Sequence, residues 1–62
     1  MSKPVTKLKE IRERRMLTLA ELSQAANVAI GTISNAENGG KISFASIKKL
    51  AAALKVQPER LL

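Results

Sequence analysis

Cysteine, histidine, tryptophan and tyrosine are absent from this 62-residue chain, and phenylalanine occurs once. Without cysteine there is neither a disulfide nor a thiolate metal site to add stability. Without histidine a zinc site would have to be built from carboxylates alone. His, Cys and Tyr are thus unavailable for catalysis, and the five acids stand singly along the chain. No glycine-rich loop runs into a Lys-Ser or Lys-Thr pair that could cradle phosphate. Catalysis is therefore not expected, and nothing calls for a cofactor, a metal or a small-molecule ligand.

Long apolar runs are missing too. No segment approaches the ~20 residues of a membrane span, and MSKPVTKLKE lacks the apolar region of a secretory signal. The basic N-terminal helix has no bulky apolar face with which to lie on a bilayer. The expectation is a cytoplasmic protein without membrane association. A single aromatic residue also argues against single-stranded RNA or DNA, whose binders stack bases on exposed rings. RNA remains the third reading, behind the two set out below.

Positive charge is abundant. Eleven Lys and Arg oppose five Asp and Glu, a net charge of +6 on a very small body, which favours a polyanionic partner. Residues 1–17 carry a net +4, residues 18–40 a net −2 and residues 41–62 a net +4. The cations thus flank a middle segment that is nearly free of them. So short a chain makes one domain, held together by apolar burial between helices.

That middle segment, TLAELSQAANVAIGTISNAEN from Thr18 to Asn38, reads as two short helices joined by a tight turn. Thr18 and Glu21 have capping-box spacing. Leu22, Ala25 and Ala26 recur on one helical face. Asn27 tolerates the left-handed conformation that ends a helix and turns the chain. Ser23 is small where the two helices would cross closely. After Val28, Ile33 and Ala36 mark a second helix that Asn38-Gly39-Gly40 stops.

The rest of the chain continues in this manner. Residues 1–4 are expected to be a flexible arm, and residues 5–62 the folded domain. A first helix from Val5 or Thr6 to Arg15 buries Val5, Leu8 and Ile11, with Glu10 and Arg14 paired on the wet side. Leu17 staples the core beside the Thr18 cap. Ser43 caps a helix from Phe44 to Lys55 whose apolar stripe is Phe44, Ile47, Leu50, Ala51 and Leu54, so Phe44 is expected in the core. Pro58 opens a last turn that ends in Leu61 and Leu62. Those two leucines either close the core or meet a second copy.

LKEIRERRMLT, AELSQAANV, TISNAENG and IKKLAAALKV together resemble the lambda-repressor-like, Cro/cI (xenobiotic-response-element) helix-turn-helix family over residues 8–62. The resemblance implies an all-α fold, a compact bundle of about five short helices with the helix-turn-helix at 18–38. It implies a sequence-specific regulator of transcription, repressor-like, that binds double-stranded DNA as a homodimer on a palindromic operator. The recognition helix would be residues 30–38, with Ala29, Ile30, Gly31, Thr32, Ser34 and Asn35 facing bases. Alternatively Ile30 is core, and only Asn35 and Thr32 reach the groove. Asn38 corresponds to a phosphate-contacting Asn, with Thr18 and Lys41 as further phosphate candidates. An Arg at position 12 often pairs in this family with a Glu at position 37, so an Arg12–Glu37 ion pair is expected.

Three residues depart from the family pattern. Met16 stands where a turn-tolerant residue is usual, so that turn is expected to take another shape. Leu19 replaces a Gln that bonds phosphate or braces a base-reading side chain. Ala29 replaces a Ser or Thr cap. The competing class of function is a protein-interaction or antitoxin-type module on the same fold.

Overall fold

Every α-helix of the computed structural model, which describes residues 1–62, stops in the same way. A two-residue extension reaches back to close the last turn. After α1 (Leu8–Arg14) the Met16 N–H donates to the Glu13 carbonyl at 2.9 Å and the Leu17 N–H to the Arg12 carbonyl at 3.2 Å. The residue between helix and exit is left-handed, as this Schellman closure demands. After α2 (Leu19–Ala26) it is Asn27, at φ 56°. After α3 (Ile30–Glu37) it is Gly39, at φ 97°. After α4 (Phe44–Leu54) it is Lys55, at φ 60°.

Only Gly39 and Asn27 suit that conformation. Met16 adopts it at φ 57° with its side chain in solvent, so the turn keeps its left-handed shape instead of taking another. Beyond Asn27 the turn is clasped twice. The Val28 N–H donates to the Ser23 carbonyl at 3.2 Å, and Ser23 Oγ donates to the Val28 carbonyl at 2.6 Å.

Helix starts follow their caps. Thr18 Oγ1 accepts from the Glu21 N–H at 3.1 Å, while the Thr18 N–H donates to Glu21 Oε1 at 2.8 Å. This is the reciprocal box that its spacing implies. Ser43 Oγ accepts from the Ser46 N–H at 3.2 Å to open α4. Ala29 offers α3 no side-chain cap. Val5 to Lys7 form a turn ahead of α1, so that helix begins later than the apolar spacing suggested.

The flexible arm expected at residues 1–4 is instead a strand. Ser2–Pro4 (β1) pairs antiparallel with Lys41–Ser43 (β2), in the register Ser2 to Ser43, Lys3 to Ile42 and Pro4 to Lys41. The Phe44 N–H adds a bond to the Met1 carbonyl at 3.3 Å. Ile42 anchors the ribbon from below by burying its side chain in the core. The all-α bundle thus carries one small two-stranded ribbon. Pro58–Leu61 closes the chain as a 3-10 turn, and with the four α-helices it makes up the helical set.

The core is wholly apolar, with no buried polar or charged residue. Leu8, Leu22, Ile33, Leu50, Leu54 and Leu61 have essentially no exposed surface, and Val5, Ala36, Ile42 and Ala51 fill between them. Leu61 belongs to the interior. The Lys7 N–H also donates to its carbonyl at 3.1 Å, and Thr6 Oγ1 donates to the Leu62 carbonyl at 2.7 Å. Of the terminal leucines, only Leu62 keeps surface.

Phe44 corrects the expected stripe. It is 41% exposed, lining a shallow groove with Pro58 and Leu62, because the first residue of α4 overhangs the end of the core. Ala25 also faces solvent, one helical step past the buried face of α2.

Two exposed side chains held left-handed are a removable strain of about 1–2 kcal/mol each, partly offset by the greater freedom glycine has when unfolded. Met16→Gly and Lys55→Gly should each stabilise by roughly 0.5–1 kcal/mol and raise Tm by roughly 2–8 °C. Asn27→Gly should be nearly neutral. Thermal melts check this, and an unmoved Tm in both of the first two would show the strain to be absent.

Candidate nucleic-acid interface

Helix α3 is eight residues long, and one turn takes 3.6. Ile33 and Ala36 face inward with no more than 3% exposure. That places Gly31, Ser34, Asn35 and Asn38 on the opposite side, with Ile30 and Thr32 at its edges. Ala29, Ile30, Gly31, Asn35 and Asn38 are exposed, while Thr32 and Ser34 are half-buried. Ile30 is 48% exposed and is not part of the core. The hydroxyls of Thr32 and Ser34 and the carboxamides of Asn35 and Asn38 make no hydrogen bond within the chain. A helix with this edge has donors and acceptors free for a ligand and no charge among them.

An ion pair also holds its end. Arg12 Nε donates to Glu37 Oε2 at 2.6 Å and Nη2 to Oε1 at 3.2 Å, the parallel fork that guanidinium and carboxylate geometry favours. The third nitrogen, Nη1, donates to the Leu17 carbonyl at 2.7 Å. One side chain of α1 therefore holds the end of α3 and the approach to α2. Both partners are largely buried, at 11% and 7% side-chain exposure. The hydrogen bond to Glu37 is the main cause that raises the Arg12 pKa above its ordinary value, against the opposing effect of burial. The guanidinium stays charged at any usable pH. Glu10 and Arg14, 2.9 Å apart, form only a solvated pair on the outer face of α1.

The clamp also locates two of the phosphate candidates. Thr18 follows Leu17 directly and Asn38 follows Glu37, so each is one residue from an atom that Arg12 holds. Thr18 opens α2 and Asn38 opens the loop after α3. The Thr18 hydroxyl accepts the Glu21 N–H and keeps its proton to donate. The first N–H groups of α2, at Leu19 and Ala20, have no helical partner. Lys41 is exposed but stands apart, on β2. Leu19 packs against the core edge and offers no polar contact.

Sequence reasoning had no signal for two further features. Lys3 is held on β1 opposite Ile42, next to the strand that carries Lys41. The Asn35 carboxamide lies against Gly40. Both depend on pairings between segments that no short-range spacing specifies.

Two helices joined by a left-handed asparagine, the second presenting a free polar edge, define a helix-turn-helix domain. The chain belongs to the helix-turn-helix family, whose profile, described as Helix-turn-helix, matches residues 8–61. It is 46% identical over 57 residues to an uncharacterized HTH-type transcriptional regulator, RghRB, of Bacillus subtilis (strain 168), covering 89% of this chain and 41% of that protein. Over 57 residues it is 44% identical to the HTH-type transcriptional repressor RghR of the same organism, covering 89% of this chain and 42% of that one. The chain thus spans about two fifths of the length of these curated relatives. No solved structure matches it significantly. No helix is long and apolar enough to cross a membrane.

Glu37→Ala would leave a largely buried guanidinium without its carboxylate, at a cost near the low end of the 3–5 kcal/mol typical of broken buried pairs, about 3 kcal/mol. A domain this small has little more than that in total, so its Tm should drop by more than 10 °C. Glu10→Ala, which breaks the exposed pair, should move Tm by less than about 2 °C. Equal effects of the two substitutions in thermal melts would remove the special role of the clamp.

Proposed function

We propose that the chain is a sequence-specific double-stranded DNA-binding module of a repressor-like transcription regulator, placing α3 in the major groove. The observation that supports it most is the unbonded polar edge of α3, whose last residue is held by the Arg12–Glu37 fork, with exposed cations in the segments before and after it. Asn35 is the principal base reader, since a carboxamide can bond adenine N6 and N7 together. Thr32 and Ser34 bond base edges or phosphate, and Ala29 and Ile30 pack on thymine methyls. Gly31 reads nothing and lets the backbone approach. With no Arg on this helix to take guanine, the contacted positions are A·T pairs.

Thr18, Asn38 and Lys41 grip phosphates and fix the register. Two copies would sit on an inverted repeat with half-sites about one helical turn apart, ~34 Å. Leu61 is buried, so a second copy could use only Leu62 of the terminal pair, beside the exposed Phe44. The name of the relative RghR supports the repressor reading. The lack of any cation on α3 favours a second reading, a protein-interaction or antitoxin-type module, in which random duplex would bind weakly at every ionic strength.

Selection of bound duplexes from a random pool would return the half-site and its spacing. On the selected duplex, Asn35→Ala should cost ~1–3 kcal/mol and flatten preference at one base pair. Lys41→Ala should weaken all duplexes alike and reduce the salt slope by about 1. Binding that is indifferent to salt, or a preference that survives Asn35→Ala, would refute the proposal.

A further inference from the structure

The four helix closures differ in the residue that follows the left-handed position. At α1, α2 and α4 it is Leu17, Val28 and Val56, each packed in or against the core. At α3 it is Gly40, whose N–H donates to the Asn35 carbonyl at 2.9 Å. In this motif the residue making that bond has its side chain over the side chain of the residue accepting it. At α3 the accepting residue is the base reader itself.

A Cβ built on Gly40 would lie 2.7 Å from Asn35 Cγ and 2.8 Å from Oδ1, and closer still to Nδ2. Real Cβ atoms do not come so near. All three nearest atoms belong to one carboxamide, which therefore rests on the bare Cα of residue 40. Asn35 makes no hydrogen bond within the chain, and its carboxamide occupies the space a side chain at residue 40 would take. The backbone at Gly40 is not left-handed, and an alanine there is conformationally free of strain. The nearest atoms it would displace are those of the free end of Asn35.

We propose that Gly40 is a positioning residue for sequence discrimination, its missing side chain letting the Asn35 carboxamide lie in a single orientation for reading a base. The proposal rests on Asn35 as the base reader. It makes residue 40 a specificity determinant that touches no DNA base itself. Any larger side chain there swings Asn35 off the loop and blurs the preference, while phosphate contacts stay as they were.

The test compares wild type, Gly40→Ala, Asn35→Ala and the double variant, on the selected duplex and on one altered at the base pair sensitive to Asn35→Ala. The χ1 couplings of Asn35 in the free protein are measured by NMR alongside. Gly40→Ala is expected to melt within about 3 °C of wild type and to bind random duplex with an unchanged salt slope. It should lose roughly fivefold or more in discrimination, with the Asn35 χ1 passing from one rotamer to an average. The double variant should discriminate no worse than Asn35→Ala alone, since the effect of residue 40 runs through residue 35.

Wild-type discrimination in Gly40→Ala, additive losses in the double variant, or a large fall in Tm would each overturn the proposal. If Asn35→Ala leaves preference intact while Gly40→Ala still averages χ1, the packing is real and the reading of bases by Asn35 is what has failed, taking this inference with it.

Discussion

A single guanidinium holds the arrangement of the three N-terminal helices. Helix α3 buries only Ile33 and Ala36 completely, and this narrow apolar stripe turns one face inward while leaving some play about the axis. The Arg12–Glu37 fork is directional, with two bonds of fixed geometry. It removes the rotational freedom that burial leaves. Glu37 sits at the negative end of the α3 dipole, where a lone carboxylate is unfavourable. Arg12 offsets that local penalty. The third bond, to the Leu17 carbonyl, extends the same control to the entry of α2, so both halves of the helix-turn-helix are referenced to one atom group.

How much of this was legible in the sequence depended on the range over which each feature is specified. The Thr18–Glu21 box and the Asn27 turn are encoded within four residues, and both lie where their spacing puts them. Arg12 and Glu37 are 25 residues apart, and only the likeness to a known family could join them. Ribbon β1–β2 had no such help. Ser-Lys-Pro shows no alternation and ends in a residue without an N–H donor, so its pairing with Lys41–Ser43 comes from where the helices leave the two ends. Phe44 fits the periodicity of α4 perfectly well and is still half out of the core, because a wheel describes a helix face and not where along the axis the core stops.

Met16 shows a different limit. Backbone closure after α1 requires a left-handed residue, and the two hydrogen bonds made there outweigh the steric objection of a Cβ. Local preference argued for another shape, and the closure prevailed. Lys55 repeats the outcome at α4. The closures are thus the stronger rule in this chain, and residue identity at the left-handed position is tolerated more than selected.

The candidate site combines these scales in the proposed complex. Its polar side chains are short: Ser, Thr and Asn reach far less than an Arg or Lys that can bend to find its base. A short reader cannot correct for a helix that is turned or lifted by an ångström, so its discrimination depends on how rigidly the scaffold presents it. That requirement links the fork at the C-terminal end of α3 to the bare Cα of Gly40 just beyond it, the first setting the helix and the second its longest polar reader. Cations do not share the constraint. They act through a field extending about 10 Å at moderate salt, so Lys41 and the lysines of α4 can sit on separate elements and still attract the same backbone. A neutral, narrowly held reading edge and a dispersed positive surround are therefore a consistent division of labour. In that proposed complex the edge would supply selectivity, and the surround affinity that any duplex shares.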